Sequence, residues 1–146
     1  QFDKICKKYE IEKIKTIGDS YMCVSGITKN KKEHTQRICL AACEMLEYLS
    51  KANAQRSKLK MPTWEMRLGI HTGPIICGVV GEDKFTFDVW GDSVNTASLM
   101  EQNGTPGKIN VSESAYFRVN KQFNCEERGE ILTTKKGPLK MFYVNK

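Results

Sequence analysis

No apolar run in this chain approaches the roughly 20 residues that a membrane-spanning helix needs, and its opening residues show no signal-peptide pattern. Any membrane contact is therefore expected only through parts of a longer parent. The six cysteines form no CxxC pair, and the two histidines build no zinc-spaced cluster with them. That argues against a zinc ribbon, and Cys39 and Cys43, four apart, are too loose a signal for a metal site. Reduced thiols serving as small core residues, in a cytoplasmic compartment, are the expectation. Internal repeats, low-complexity tracts and linkers are missing as well, so the 146 residues are read as one domain. No aromatics pair on adjacent strands in the pattern of an RNA-binding sheet.

What is present in surplus is positive charge, 23 basic against 17 acidic residues, or +6. Such a balance suits a polyanionic ligand. The basic residues are scattered in small groups such as Lys7-Lys8, Lys31-Lys32 and Lys135-Lys136, which read as solvated surface rather than as a nucleic-acid stripe.

Periodicity orders the chain. Phe2, Ile5 and Tyr9 share a face of a short opening helix. Ile11–Ile17 and Ser20–Gly26 read as strands, with Gly18-Asp19 as a two-residue hairpin turn. A long amphipathic helix is expected from about Lys32 to Gln55, burying Ile38, Ala42, Met45, Leu46 and Leu49. Trp64, Met66, Leu68 and Ile70 alternate with polar residues as a half-buried strand. Ile75–Val80 and Phe85–Trp90 follow as further extended stretches. Asp92 or Ser93 should cap a helix that Asn103-Gly104 ends. Lys108–Val111 is a strand, and Ser112 caps a helix to Val119. Strands near Phe123–Arg128, Ile131–Thr134 and Leu139–Val144 complete the chain. Interleaved helices and hairpins predict an α+β fold with a mostly antiparallel sheet.

Two dense segments stand out, Ile14-Lys15-Thr16-Ile17-Gly18-Asp19-Ser20-Tyr21 and Phe87-Asp88-Val89-Trp90-Gly91-Asp92-Ser93-Val94-Asn95. Asp88 is the most informative single residue, because aspartate is depleted in strands and this one sits among Phe85, Phe87, Val89 and Trp90. With Arg67-Leu68-Gly69-Ile70-His71-Thr72-Gly73-Pro74 between them, these segments resemble the class III adenylyl and guanylyl cyclase catalytic domain over the whole of residues 1–146.

That resemblance implies a ferredoxin-like α+β core and a dimer whose active site spans the interface. Asp19 matches one of two metal-binding aspartates, which would hold two Mg²⁺ (or Mn²⁺) ions that activate the ribose 3′-hydroxyl and clamp the α-phosphate. Lys15 and Asp88 match the base-reading pair. Adenine presents an amino donor at N6 and an acceptor at N1, so it needs one acceptor and one donor. Asp88 and Lys15 supply them, whereas guanylyl cyclases typically place Cys and Glu there. ATP is thus the implied substrate. Asn95 matches the asparagine that orients the ribose. One subunit would give Asp19, its partner Lys15, Asp88 and Asn95.

Three departures from the family bear on activity. The other metal aspartate lies on a strand upstream of Asp19, and this stretch is expected to lack that strand, its helices and, alone, significant activity. Where active cyclases carry Arg four residues after the Asn, this chain has Leu99. Where a phosphate-binding Lys precedes the last strand, it has Thr134, and Lys135 is the expected substitute after a small loop shift. An adenylate cyclase domain is therefore the leading expectation. A degenerate cyclase homology module that binds nucleotide or dimerises is the alternative, and an RNA-binding ferredoxin-like domain a distant third.

Overall fold

The computed structural model describes residues 1–27, 33–134 and 136–145. Its elements run α1 (Phe2–Lys8), β1 (Glu12–Ile17), β2 (Ser20–Val24), α2 (His34–Lys58), β3 (Leu68–Ile70), β4 (Ile76–Val80), β5 (Thr86–Trp90), α3 (Asp92–Gln102), β6 (Ile109–Ser112), α4 (Glu113–Val119), β7 (Asn124–Thr133) and β8 (Gly137–Asn145). β1 and β2 form a hairpin, β4 and β5 a second one, and the other four strands make a sheet in the order β3-β6-β8-β7. Only β3–β6 is a parallel pair among the described residues. This is the expected α+β class. No helix among the described residues is long and apolar enough to cross a membrane.

Two apolar cores lie on opposite parts of α2. Cys39, Ala42 and Cys43 pack against Ile70, Ile109, Val111, Ala115, Val119 and Val144 of the four-stranded sheet and α4. Ala41 and Met45 face Ile5 and Cys6 of α1, with Ile11 completing the second core. The opening helix therefore buries the face its spacing predicted. All six cysteines are free thiols, and three of them (Cys6, Cys39, Cys43) are buried in these cores, where a thiol packs as a small apolar group.

Ser112 caps α4 as expected, its hydroxyl accepting the Ala115 N–H at 3.4 Å. Three local expectations change. The alternating stretch from Trp64 joins no ladder before Leu68, because its backbone is engaged by α2 instead. Asn53 donates to the Trp64 carbonyl at 2.8 Å and accepts its N–H at 3.0 Å, while Arg56 stacks 4.0 Å over the indole ring. The two short strands expected at Phe123–Arg128 and Ile131–Thr134 are one strand, β7. Its bulge falls at Arg128, between the Glu127–Phe142 and Gly129–Met141 pairs, so the polar break in the pattern is an extra residue rather than a loop. At the head of α3, neither Asp92 nor Ser93 is the cap. Gly91, at φ 129, holds that position, in a region an L side chain rarely enters.

β3 is short but sets the position of α3. A Cβ on Gly69 would collide with the backbone N of Glu101 and the carbonyl of Ala97. Glycine thus lets helix and strand approach to backbone contact. A cleft of about 1020 Å³ opens between β2 and β3 over α2; Tyr21, Cys23, Ile38, Met45, Leu68 and Ile70 are among its lining residues.

Candidate functional site

The site begins with a bulge. Strict alternation along β1 would aim Lys13 and Lys15 at the same side of the hairpin. The register instead pairs Lys13 with Cys23 and Lys15 with Met22, leaving Ile14 as an extra residue. A bulge re-aims the side chains beyond it. Lys13 accordingly turns to α1, 3.1 Å from the Asp3 carboxylate, while Lys15 reaches β5 and donates to Asp88 Oδ2 at 2.6 Å.

Asp88 is well placed to hold that ammonium. Its Oδ1 accepts the Val89 N–H at 2.8 Å, which fixes the carboxylate plane. The Lys15 ammonium, then the Val89 N–H, hold the Asp88 carboxyl below the usual carboxylate range. The Asp88 side chain is only 15% exposed against 38% for Lys15, so the pair is half sheltered and still open on the lysine side. Across the β4–β5 ladder Asp88 faces Gly78. Directly opposed side chains share a face of the sheet, so the missing Gly78 side chain leaves room beside the carboxylate. The sequence showed Gly78 but gave no reason to connect it with Asp88.

From Asp88 the chain runs through Trp90 and the Gly91 turn into α3, whose first turn carries Asn95, exposed to solvent. Ser93 donates to the Pro74 carbonyl at 2.7 Å, which ties the head of the helix to the β3–β4 connection. Leu99 follows one turn after Asn95 and is half-buried. Asp19 stands apart, exposed at the tip of the β1–β2 hairpin and on the rim of the cleft, whereas Lys15, Asp88 and Asn95 lie outside the cleft lining. The fold thus joins Lys15 to Asp88 directly and places Asn95 on the next element, while Asp19 lines a cleft that none of those three lines. Thr134 is exposed in the β7–β8 turn, and Lys135 lies outside the described residues.

Two groups that the sequence reading passed over also belong to this region. Lys136 pairs with Asp92 and donates to the Thr96 hydroxyl, both on α3. The sequence reading had singled out Lys135 of this adjacent pair and not Lys136. His71, at the end of β3, lies 2.7 Å from the Ser112 hydroxyl and 3.2 Å from that of Ser114. Burial, then repulsion from Lys136, pushes the His71 imidazole below its ordinary pKa, with Asp92 opposing. Burial, Arg118 and Arg37 do the same to His34.

Both histidines therefore bind a proton less readily folded than unfolded, so their contribution to stability is full above the unfolded value of about 6.5 and declines as pH falls below it. Urea midpoints should drop between pH 7.5 and 5.5, and His71→Gln should flatten that drop. A slope unchanged by the substitution would remove His71 from the account.

A family model described as the adenylate and guanylate cyclase catalytic domain matches residues 1–146. The chain belongs to this family. The cyclase domain is 38% identical over 143 residues to an adenylate cyclase of Mycobacterium tuberculosis, covering 98% of this chain and 31% of that protein. It is 42% identical over 147 residues to a germination-specific adenylate cyclase of Dictyostelium discoideum, covering 97% and 17%. It is equally similar, at 38% over 146 residues, to a receptor-type guanylate cyclase of Caenorhabditis elegans, covering 98% and 13%. The chain thus spans less than a third of the length of these relatives. Among solved structures, the catalytic core of a rhodopsin-guanylyl cyclase with converted specificity, in complex with ATPαS, superposes with a TM-score of 0.88 at 29% identity, covering 99% of this chain and 76% of that one. The adenylyl cyclase CyaB from P. aeruginosa superposes at 0.91, but at 23% identity it speaks for the fold alone.

Proposed function

We propose that this cyclase domain serves an adenylate cyclase, which converts ATP to 3′,5′-cyclic AMP and pyrophosphate for intracellular signalling. Relatives of similar identity include both adenylate and guanylate cyclases, so overall likeness does not choose the base. The observation that carries the reading is the Lys15–Asp88 pair at 2.6 Å. A fixed carboxylate beside a fixed ammonium offers one acceptor and one donor, side by side, and adenine presents the complement. Guanine would set its carbonyl oxygen against the carboxylate and its N1 donor against the ammonium, leaving half-sheltered polar groups unpaired.

Asn95, seven residues beyond Asp88 across the Gly91 turn, is read as orienting the ribose so that its 3′-oxygen faces the α-phosphorus. In the reaction that oxygen bonds to phosphorus, the bond to the pyrophosphate oxygen breaks, and the hydroxyl proton passes to solvent. Asp19 fits a magnesium ligand in chemistry and place, being a hard oxygen donor exposed on a hairpin tip. Mg²⁺ is commonly held by one or two carboxylates with substrate phosphates completing its shell. Bound metal would lower the cost of ionising the 3′-hydroxyl and of charge on the departing pyrophosphate. No group of three or more acidic, histidine or cysteine side chains gathers there among the described residues, so Asp19 would need a further carboxylate. A strand bearing that carboxylate and lying in the β2–β3 cleft would bring it to Asp19, which is on the cleft rim.

Asp19 lines the cleft and the base readers do not, and a homodimer would bring one chain's Asp19 to the other's Lys15, Asp88 and Asn95. Ile17, Ile76, Val79 and Phe85 are large apolar residues, each 60–75% exposed, along the β1–β2 and β4–β5 hairpins, and suit such an interface. Leu99 and Thr134 favour a second reading, a domain that binds nucleotide and dimerises with little turnover.

The full-length protein, given ATP or GTP with Mg²⁺ or Mn²⁺ and assayed by chromatography, should form cyclic AMP in strong preference. Comparable cyclic GMP would defeat the adenine reading. Nucleotide binding without either product would support the second.

A further inference from the structure

Tyr21 and Cys23 are two apart on β2, so both side chains stand on one face of the first hairpin. Lys13 lies opposite Cys23 in the ladder and shares that face, as directly opposed residues do. What the face meets is α1. The Tyr21 hydroxyl donates to Asp3 Oδ1 at 2.8 Å and lies 3.5 Å from Cys6 Sγ. Lys13 closes the ring of contacts, 3.1 Å from the Asp3 carboxylate and over the Tyr21 ring. Within that ring the Cys23 thiol donates a hydrogen bond to the Cys6 sulfur. Two sulfurs from different elements thus meet amid a phenol, a carboxylate and an ammonium.

None of these contacts serves the nucleotide site proposed above. Core packing does not ask for them either, because a thiol buried as a small apolar group becomes harder to ionise. Cys39 shows this: burial, with Cys43 and Cys125 nearby, pushes its thiol up to about 12. Cys6 goes the other way. Hydrogen bonds from Cys23 and then Tyr21 draw its thiol below the ordinary pKa, although burial opposes them. Its bond to Cys6, then burial, keep Cys23 as the neutral donor. A thiolate beside a neutral thiol is a nucleophile with a partner able to resolve it. Cys6 is 2% exposed and Cys23 half-buried, so the pair suits a hydroperoxide, little larger than water, rather than a bulky disulfide.

We propose that Cys6 and Cys23 form a modification site, a dithiol that hydrogen peroxide closes to a disulfide, stapling α1 to β2. The Cys6 thiolate attacks one peroxide oxygen, and the O–O bond breaks. Cys6 becomes a sulfenic acid, and the departing hydroxide takes a proton and leaves as water. Cys23 loses its proton to solvent, and its sulfur attacks Cys6 Sγ, displacing hydroxide that leaves as a second water. In all, two thiols give two electrons and two protons to one peroxide. The bond closes residues 7–22 into a loop that contains β1, Lys15 and Asp19. Oxidation therefore holds the hairpin that carries both residues against α1.

The test is to treat the reduced full-length protein with hydrogen peroxide, alkylate it and digest it for mass spectrometry. A peptide linking Cys6 to Cys23 should appear, and dithiothreitol should remove it. Cys23→Ser, which keeps a hydrogen-bond donor, should abolish the link and let Cys6 go on to sulfinic acid. Hydrogen exchange gives a second reading on the unaltered protein. Amides of residues 2–8 and 20–24 should exchange several-fold more slowly after oxidation, since the staple suppresses local opening. Cys6 and Cys23 left unlinked, or linked to other cysteines instead, overturn the proposal. Cys6 that stays reduced in Cys23→Ser overturns it as well, by removing the attacking thiolate. A linked protein whose α1 exchanges as fast as before would show that the bond staples nothing.

Discussion

Lys15→Glu combined with Asp88→Cys will shift the ratio of kcat/KM for ATP over GTP by roughly 10²-fold to 10⁴-fold toward GTP. Two base contacts are reversed, and a buried donor or acceptor left unpaired costs about 1–3 kcal/mol each. The single substitutions sharpen the test. Lys15→Glu alone sets a second carboxylate where an ammonium now lies 2.6 Å from Asp88 Oδ2; the like charges will repel, raise the pKa of one acid and loosen the β1–β5 contact. Asp88→Cys alone strands the ammonium and the Val89 N–H. The double variant relieves the like-charge repulsion and the stranded ammonium, though not the Val89 N–H, so it should be more stable than the sum of the singles predicts, with a coupling energy measurable by denaturation. The assay is steady-state kinetics with both nucleotides. A ratio that does not move would show that base selection lies elsewhere.

Leu99→Arg will raise kcat of the full-length enzyme, with little change in KM. Asn95 and Leu99 are one turn apart on α3, so a long cation at 99 reaches from the proposed ribose toward the phosphates. Leucine can neither donate a hydrogen bond there nor offset charge on the departing pyrophosphate, which is greatest in the transition state. A cationic finger in phosphoryl transfer can be worth roughly 10³–10⁵. The gain here should be smaller, about tenfold, because Leu99 is half-buried. An unchanged or lower kcat in a folded Leu99→Arg protein would refute the expectation and favour a domain that has left catalysis behind.

Lys136 marks where reading residues in order reaches its limit. Lys135, the expected phosphate ligand because it sits nearest the family's position, lies outside the described residues; among those described, Lys136 of this turn meets α3. The Lys136 contact goes with its N–H donating to the Thr133 hydroxyl and with the left-handed backbone of Gly137, neither of which a pair of adjacent lysines reveals. The Trp64 stretch fails for a related reason. Alternation declared a strand, but Asn53 captured both backbone groups of Trp64, and no local pattern reveals a partner eleven residues back.

The sequence by itself determined the family and the class of fold, and it singled out Lys15 and Asp88 as the residues proposed to read the base. Those depend on short-range chemistry: a Gly-Asp hairpin tip, an aspartate in an apolar strand, an asparagine in the first turn of a helix. Tertiary structure alone decided how those residues meet. The Ile14 bulge, invisible to a period of two, turns Lys15 from the Lys13 side toward Asp88. Gly78 becomes open space beside that carboxylate only once β4 and β5 are in register. Gly69 brings α3 to backbone contact with β3 and so sets where Asn95, Leu99 and the Lys136 anchor stand. Each is a contact between segments remote in the chain, and register and close approach are fixed by what packs opposite rather than by what comes next.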